Sequence, residues 1–316
     1  MTVQQLFDEY IATKKFEIRE SSLDKHTRNF GLYVQPTMAN VRIDRLTIPM
    51  LQKWKNTVEE KGLALKTRQM AYGIFRAILN YAVRMEYIRK NPLLTVGTFR
   101  DALHSKPNIS FYTAQEFTEF ISTARRIAED KEAKHGDLSG WDFYVFFNIA
   151  FYTGVRKGEN YAFKWTDLED SHLHIKRSIT QKLRGGDRET PPKNRSSVRT
   201  LQMPLPLMRI LAEHKKRQRR SANFSEDFRI CGGERCLRDG TVYNRNKLYA
   251  ELSGLDRIRI HDFRHAHASV LANEGINIQE IARRLGHAKV EETWNTYSHL
   301  YPRIEEKAVD ILNKIA

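Results

Sequence analysis

Residues 261–299 read HDFRHAHASVLANEGINIQEIARRLGHAKVEETWNTYSH, and the fold and chemistry of the chain both turn on them. His261 and Arg264 stand three apart near a helix start, so both face one side. The helical pattern breaks at Gly275 and again at Gly286, within Leu285-Gly286-His287, where glycine suits a tight turn. Tyr297 follows ten residues after His287, in Thr293-Trp-Asn-Thr-Tyr297-Ser-His299. Upstream, the charge-free apolar run Phe143 to Val155 lies between Asp142 and Arg156. It is shorter than the roughly 18 to 20 residues of a membrane span and reads as a buried helix. It ends in Thr153-Gly154-Val155-Arg156, which presents an arginine at a turn. Leu173, Ile175 and Ile179 alternate with polar residues, as do Val198, Leu201 and Met203. With Gly185, Gly186, Pro191 and Pro192 between them, they predict a β-hairpin with a long basic connection that holds Lys193.

The rest of the chain is helical in pattern. Val3, Leu6, Phe7, Tyr10 and Ile11 recur at helical spacing. Thr47 with Pro49 starts a helix through Leu51, Trp54 and Val58, closed by Gly62. A longer pattern through Ile74, Ile78, Tyr81, Ala82 and Met85 stops at Asn91-Pro92. Residues 97–109 lack periodicity and read as a linker region, after which Thr113-Ala-Gln-Glu116 forms a capping box. The expected organisation is a helical domain over residues 1–100, a linker over 101–109, and a second domain over 110–316. The fold class is mainly α with a small antiparallel β-sheet. No internal repeat or low-complexity tract is visible.

The 316 residues carry 53 Lys and Arg against 38 Asp and Glu, a formal charge of +15, with 41% hydrophobic residues. That composition is globular, and the length is ample for a core without disulfide or metal staples. The first ten residues carry acids and no basic stretch, which is unlike a signal peptide. Only Cys231 and Cys236 are present, which points to free thiols in a reducing compartment. Their spacing resembles a zinc half-site, but no second ligand pair lies at matching spacing. The charge is local: residues 1–105 carry net +7, and residues 175–220 carry 14 basic and 3 acidic side chains. Two basic regions suggest a grip on a polyanion, nucleic acid before membrane surface.

Two arginines, a lysine, histidines and a tyrosine, without a carboxylate pair or metal cage, suit phosphoryl transfer. Two guanidinium forks can hold the non-bridging oxygens of a phosphodiester and stabilise its pentacoordinate transition state. A tyrosine hydroxyl, weak at its ordinary pKa of about 10, needs an imidazole to take its proton and cations to favour its phenolate. A lysine can protonate the departing sugar oxygen. The product is a phosphotyrosine, which a second DNA hydroxyl can reseal with no metal or nucleotide. His265, His267 and His287 invite a metal reading, but their companions are arginines rather than carboxylates or thiolates.

Taken together, Thr153-Gly154-Val155-Arg156-Lys157-Gly158-Glu159, the Pro192-Lys193 loop, His261-Asp-Phe-Arg264-His265, Leu285-Gly286-His287 and Tyr297-Ser-His299-Leu300 resemble a tyrosine recombinase. The likeness is to integrases of phages and integrative conjugative elements and covers residues 110–300; residues 1–100 resemble the family's helical, SAM-like core-binding domain. The resemblance implies that Arg156 and Arg264 clamp the scissile phosphate and that Lys193 is the general acid for the 5′-oxygen. It implies that His261 handles the tyrosine proton, His287 hydrogen-bonds the phosphate, and Tyr297 is the nucleophile forming a 3′-phosphotyrosine. Glu159, one turn after Arg156, would orient an arginine, and His299 would position the Tyr297 loop. Implied partners are double-stranded DNA at attachment or transposon-end core sites and three further copies of the chain in a tetramer on two duplexes. The reaction would pass through a Holliday junction in the cytoplasm, away from membranes, without a cofactor. An excisionase or DNA-bending accessory protein would fit such an integrase.

Many integrases of this kind begin with a small arm-binding domain, whereas this chain opens at the core-binding helix; absence and truncation are both open. Residues 301–316, with Ile304, Ala308, Ile311 and Leu312 at helical spacing, are expected to form an amphipathic tail that docks on a neighbouring protomer. Competing readings are a DNA-binding regulator without chemistry, a type IB topoisomerase-like enzyme of the same chemistry, and a metal-dependent nuclease.

Overall fold

The computed structural model describes residues 1–101, 110–181, 183, 186–192, 195–301 and 313. The chain divides into two compact units, Met1–Pro107 and Asn108–Ala316. Lys193, most of the linker read at 101–109 and the amphipathic tail positions all lie outside the described residues.

The first unit is helical: α1 (Val3–Lys14), α2 (Glu20–Tyr33), a single turn α3 (Gln35–Met38), α4 (Ile48–Glu59), α5 (Leu65–Arg84) and a short α6 (Leu93–Val96). Thr2 caps α1 in a box with Gln5, which satisfies two otherwise orphaned N–H groups. Thr47 caps α4 ahead of Pro49, as its sequence predicts. Leu6, Phe7, Leu51, Trp54, Phe75 and Ile78 meet in one core, and the Trp54 indole donates to the Tyr33 carbonyl at 2.7 Å. The pattern expected to run to Asn91-Pro92 ends earlier, at Arg84. The chain turns back there: Glu86 takes a φ of 61° and the Tyr87 amide bonds the Ala82 carbonyl. Met85 is consequently exposed. Helix α2 carries one buried residue, Phe30, too few to announce it by periodicity.

The second unit opens with α7 (Ala114–His135) and α8 (Ser139–Thr153). The Thr113–Glu116 capping box starts α7, and the apolar run forms α8, buried on nearly every side. Next come α9 (Lys157–Ala162), β1 (Leu168–Glu169), β2 (His172–Ile175), β3 (Ser178–Thr180), β4 (Arg188–Thr190) and β5 (Arg199–Gln202). Helices α10 (Leu205–Gln218), α11 (Asp239–Leu252), α12 (Asp262–Asn273), α13 (Ile278–Leu285) and α14 (Val290–Tyr297) follow.

Strands β2 and β5 pair antiparallel, with Leu173 opposite Leu201 and Ile175 opposite Arg199, and β1 lies on the other side of β2. The connection between them is not simply a loop: β3 and β4 make their own two-stranded sheet within it. Val198, which alternation in the sequence groups with Leu201 and Met203, is exposed, whereas Leu201 and Met203 are buried. Strand side chains alternate with period two, so the residue sharing the Leu201 face is Arg199. Its side chain is only 5% exposed. No described helix is long and apolar enough to cross a membrane.

Candidate active site

Arg156 stands at the start of α9, immediately after the turn that ends α8. Gly154 makes that turn, with a φ of 63°, and its N–H donates the cap hydrogen bond to the Ala150 carbonyl. Nothing larger fits: a Cβ there would lie 2.6 Å from the His267 ring and 2.9 Å from Leu285. His267 is buried beneath it, with its Nδ1 2.9 Å from the Phe151 carbonyl. Burial drives its pKa down to about 3, so it is a neutral brace for the turn.

The Arg156 guanidinium donates to Glu159 at 3.0 Å, to Ser197 Oγ at 3.1 Å and to the Gly286 carbonyl at 3.1 Å. The Glu159 orientation role expected from sequence has a structural counterpart, and it serves two arginines. Arg199 from β5 donates to the same carboxylate at 3.1 Å and to the Arg284 carbonyl at 2.7 Å. Burial works to raise the Glu159 pKa, but the Arg199 and Arg156 charges outweigh it and hold the carboxylate below its ordinary value. Gly286 ends α13 in the left-handed region, at a φ of 67°, with Arg199 packed where a side chain would project. Thus the arginine turn, the sheet and the Leu285-Gly286-His287 turn are bound into one network.

Arg264, on the first turn of α12, is 3% exposed and donates Nη1 to the Gly154 carbonyl at 2.8 Å. Its Nη2 is buried and, among the described residues, has no hydrogen-bond partner. Burial and the nearby Arg156 and Arg199 charges lower its pKa to about 9. A buried guanidinium with a vacant arm is an unfavourable arrangement unless an anion completes it. His261 and His287 share this electrostatic environment. Each is held near pKa 4, His261 by burial, His265 and Arg264, and His287 by burial, Arg264 and Arg156. Both are therefore neutral at pH 7. His287 Nδ1 lies 2.7 Å from the Thr293 hydroxyl, which sets its ring at the head of α14.

Tyr297, at the end of α14, is 3% exposed and packs with Ala268, Ala272, Ile281 and Leu285. Burial pushes its pKa up to about 12 against the opposing influence of Arg264. Its hydroxyl meets His265 Nδ1 at 2.6 Å. The resemblance implies that His261 handles the tyrosine proton; the imidazole in contact with the hydroxyl is His265, one turn further along α12. The two rings stand edge to face, 5.2 Å apart. Residues i and i+4 share a helix face, so spacing alone does not choose between them.

Arg199 is the other residue that sequence reading missed. Its signal was a charge in phase with a buried strand face. Among the described residues, no three His, Cys, Asp or Glu side chains gather as a metal site. His265, His267 and His287 engage Tyr297, Phe151 and Thr293 separately. Cys231 and Cys236 are both free thiols.

The profile described as the phage integrase family matches residues 114–303, and that of the phage integrase SAM-like domain matches residues 2–99. Among curated relatives, the ICEBs1 integrase of Bacillus subtilis (strain 168) is 26% identical over 314 residues, covering 97% of this chain and 81% of that protein. A tyrosine recombinase XerC-like protein of Caldanaerobacter subterraneus subsp. tengcongensis is 27% identical, covering 92% and 77%. Among solved structures, the Tn1549 transposon integrase in complex with transposon right end DNA aligns with a TM-score of 0.75 at 21% identity, covering all of both chains. A lambda integrase tetramer bound to a Holliday junction aligns at 0.65 and 17% identity, covering 96% of this chain and 80% of that one. The chain belongs to the phage integrase family, the tyrosine recombinases that cut and rejoin DNA.

Proposed function

We propose that this chain is a site-specific integrase of a mobile element and that Arg156, Arg264, His261, His287 and Tyr297 carry its chemistry. The observation that carries the reading is the buried, vacant Nη2 of Arg264 beside Arg156 and two neutral imidazoles. A phosphodiester supplies the anion that this set lacks. The two guanidiniums share its non-bridging oxygens and grow stronger as charge accumulates in the pentacoordinate transition state. His261 and His287 donate ring N–H groups to the same oxygens without adding charge. Tyr297 attacks phosphorus, the bond to the 5′-oxygen breaks, and a 3′-phosphotyrosine results. Lys193 is the general acid for the leaving oxygen on this reading, by its place in the connection between β4 and β5.

The substrate is double-stranded DNA at core sites. Four copies act on two duplexes and exchange one strand pair at a time through a Holliday junction, as the lambda integrase tetramer is seen bound to one. The reaction belongs in the cytoplasm, on DNA. The dense basic region over residues 175–220 supplies non-specific grip, so binding weakens steeply with salt.

Incubation with a nicked suicide duplex in EDTA tests this reading. A covalent protein–DNA band is expected, and Tyr297→Phe should abolish it. No band from the wild type would overturn the proposal in favour of a regulator, and cleavage that EDTA abolishes would favour a metal nuclease. A two-site strand-exchange assay then separates recombination from relaxation by a topoisomerase-like enzyme.

A further inference from the structure

We propose that His265, rather than His261, accepts the proton of Tyr297 when the tyrosine attacks DNA. This inference rests on Tyr297 being the nucleophile and adds a residue to that chemistry. Three observations carry it. First, the Tyr297 hydroxyl and His265 Nδ1 are 2.6 Å apart, within direct proton-transfer reach. Second, both groups are withdrawn from solvent, so bulk water is poorly placed to take the proton: Tyr297 is 3% exposed and His265 is half-buried. Third, the His261 ring packs edge to face on His265 and feels the positive charges of Arg264 and Arg156, whereas the ring recorded in contact with Tyr297 is His265. That position suits a phosphate-facing imidazole and leaves the Tyr297 side to His265.

The charge around His265 agrees with this role. Burial lowers its pKa; Asp262 opposes this, and Arg264 and Arg259 add to it. The ring is therefore neutral before the reaction. With its proton on Nε2, Nδ1 presents a lone pair to the phenol. Asp262, paired to Arg259 at 2.8 Å, stands in the same helical turn and stabilises the imidazolium once formed. In the forward step the Tyr297 O–H bond breaks and its proton moves to Nδ1. The phenolate electron pair forms the oxygen–phosphorus bond. The bond from phosphorus to the 5′-oxygen breaks, and that oxygen takes a proton from the general acid proposed above. On resealing, the imidazolium returns its proton to the departing Tyr297 oxygen, so the cycle needs no outside base. The buried tyrosine is otherwise a weak nucleophile, since its pKa is held near 12.

The test is single-turnover formation of the covalent adduct on the nicked suicide duplex, followed from about pH 6 to 9, with DNA affinity and melting measured alongside. His265→Ala is expected to form adduct about 100-fold more slowly with unchanged DNA affinity, and its rate should climb with pH as hydroxide substitutes. His265→Asn keeps a hydrogen-bond acceptor of similar reach but no basic nitrogen, and is expected to be equally slow. Incorporating a fluorinated tyrosine of lower pKa at position 297 should restore at least about tenfold to either variant, because a more acidic phenol depends less on a base. Rates within about threefold of wild type, or faster, would overturn the proposal and make the contact a restraint on the hydroxyl. Recovery in His265→Asn alone would overturn it in favour of positioning. Should His265→Ala melt too low to assay, the asparagine variant with the fluorinated tyrosine decides alone. A wild type that forms no adduct refutes the functional reading itself, which separates that failure from failure of His265.

Discussion

Replacing Glu159 with leucine should unfold the second unit far more readily than an ordinary core substitution. The carboxylate is 2% exposed and its partner Arg199 is 5% exposed. It accepts from the Arg156 amide at 2.9 Å, from the Arg156 guanidinium at 3.0 Å and from Arg199 at 3.1 Å. Glu159→Leu removes all three and leaves Arg199 as an uncompensated buried charge. Breaking such a pair typically costs about 3–5 kcal/mol. In a domain of this size each kcal/mol lowers the melting temperature by ~2–4 °C, so a fall of roughly 6–20 °C is expected. The decisive comparison adds Arg199→Leu to Glu159→Leu. Removing the stranded charge should return at least about 2 kcal/mol, short of full recovery because the Arg284 and Ser197 carbonyls also lose Arg199 as a donor. Calorimetry or urea unfolding of wild type, both single variants and the double variant reads the coupling directly. A melting shift below about 2 °C for Glu159→Leu, or destabilisations that simply add, would refute the argument. The pH dependence supplies a further check. The folded-state pKa of Glu159 lies below its ordinary value of 4.5, so its stabilisation is present above that value and is lost as pH falls through the lower one. The advantage of wild type over Glu159→Gln should therefore shrink on acidification.

Arg264→Lys keeps a positive charge but has no second arm to stand where Nη2 is vacant; adduct formation should fall about 100-fold or more, measured by single-turnover cleavage, and a wild-type rate would remove Arg264 from the site. Tyr297→Phe should retain DNA affinity in a mobility-shift assay and lose only about 1 kcal/mol of stability, the worth of its hydrogen bond to His265. Gly286→Ala places a Cβ 2.9 Å from Arg199 at a φ of 67°, and urea unfolding should show a loss of at least about 1 kcal/mol.

Much of this is legible in the sequence itself. The Thr113–Glu116 and Thr47 caps, the buried run from Phe143, and the breaks at Gly275 and Gly286 are local signals, and local hydrogen bonding decides them. Helix α2 was not legible, because Phe30 is its one buried residue and Leu32, two positions on, faces solvent. The β3–β4 pair was hidden because its three-residue strands sit in a basic, proline-bounded connection, where pairing rather than apolar alternation makes the strand.

The candidate site divides in the same way. Order and spacing of Arg156, His261, Arg264, His287 and Tyr297 identified the family and its chemistry, since those residue types in that succession suit phosphodiester transfer. What only the tertiary structure decided is which side chains touch. Arg199 reads as a solvated strand cation until Glu159, from a helix 40 residues earlier, is folded against it. His261 and His265 are equivalent on a helix face until α14 returns and sets the Tyr297 hydroxyl against one of them. Helical periodicity places residues on a face, but proton transfer and charge pairing act over about 3 Å. Contacts on that scale between distant segments are set by how the helices and strands pack, not by spacing along the chain.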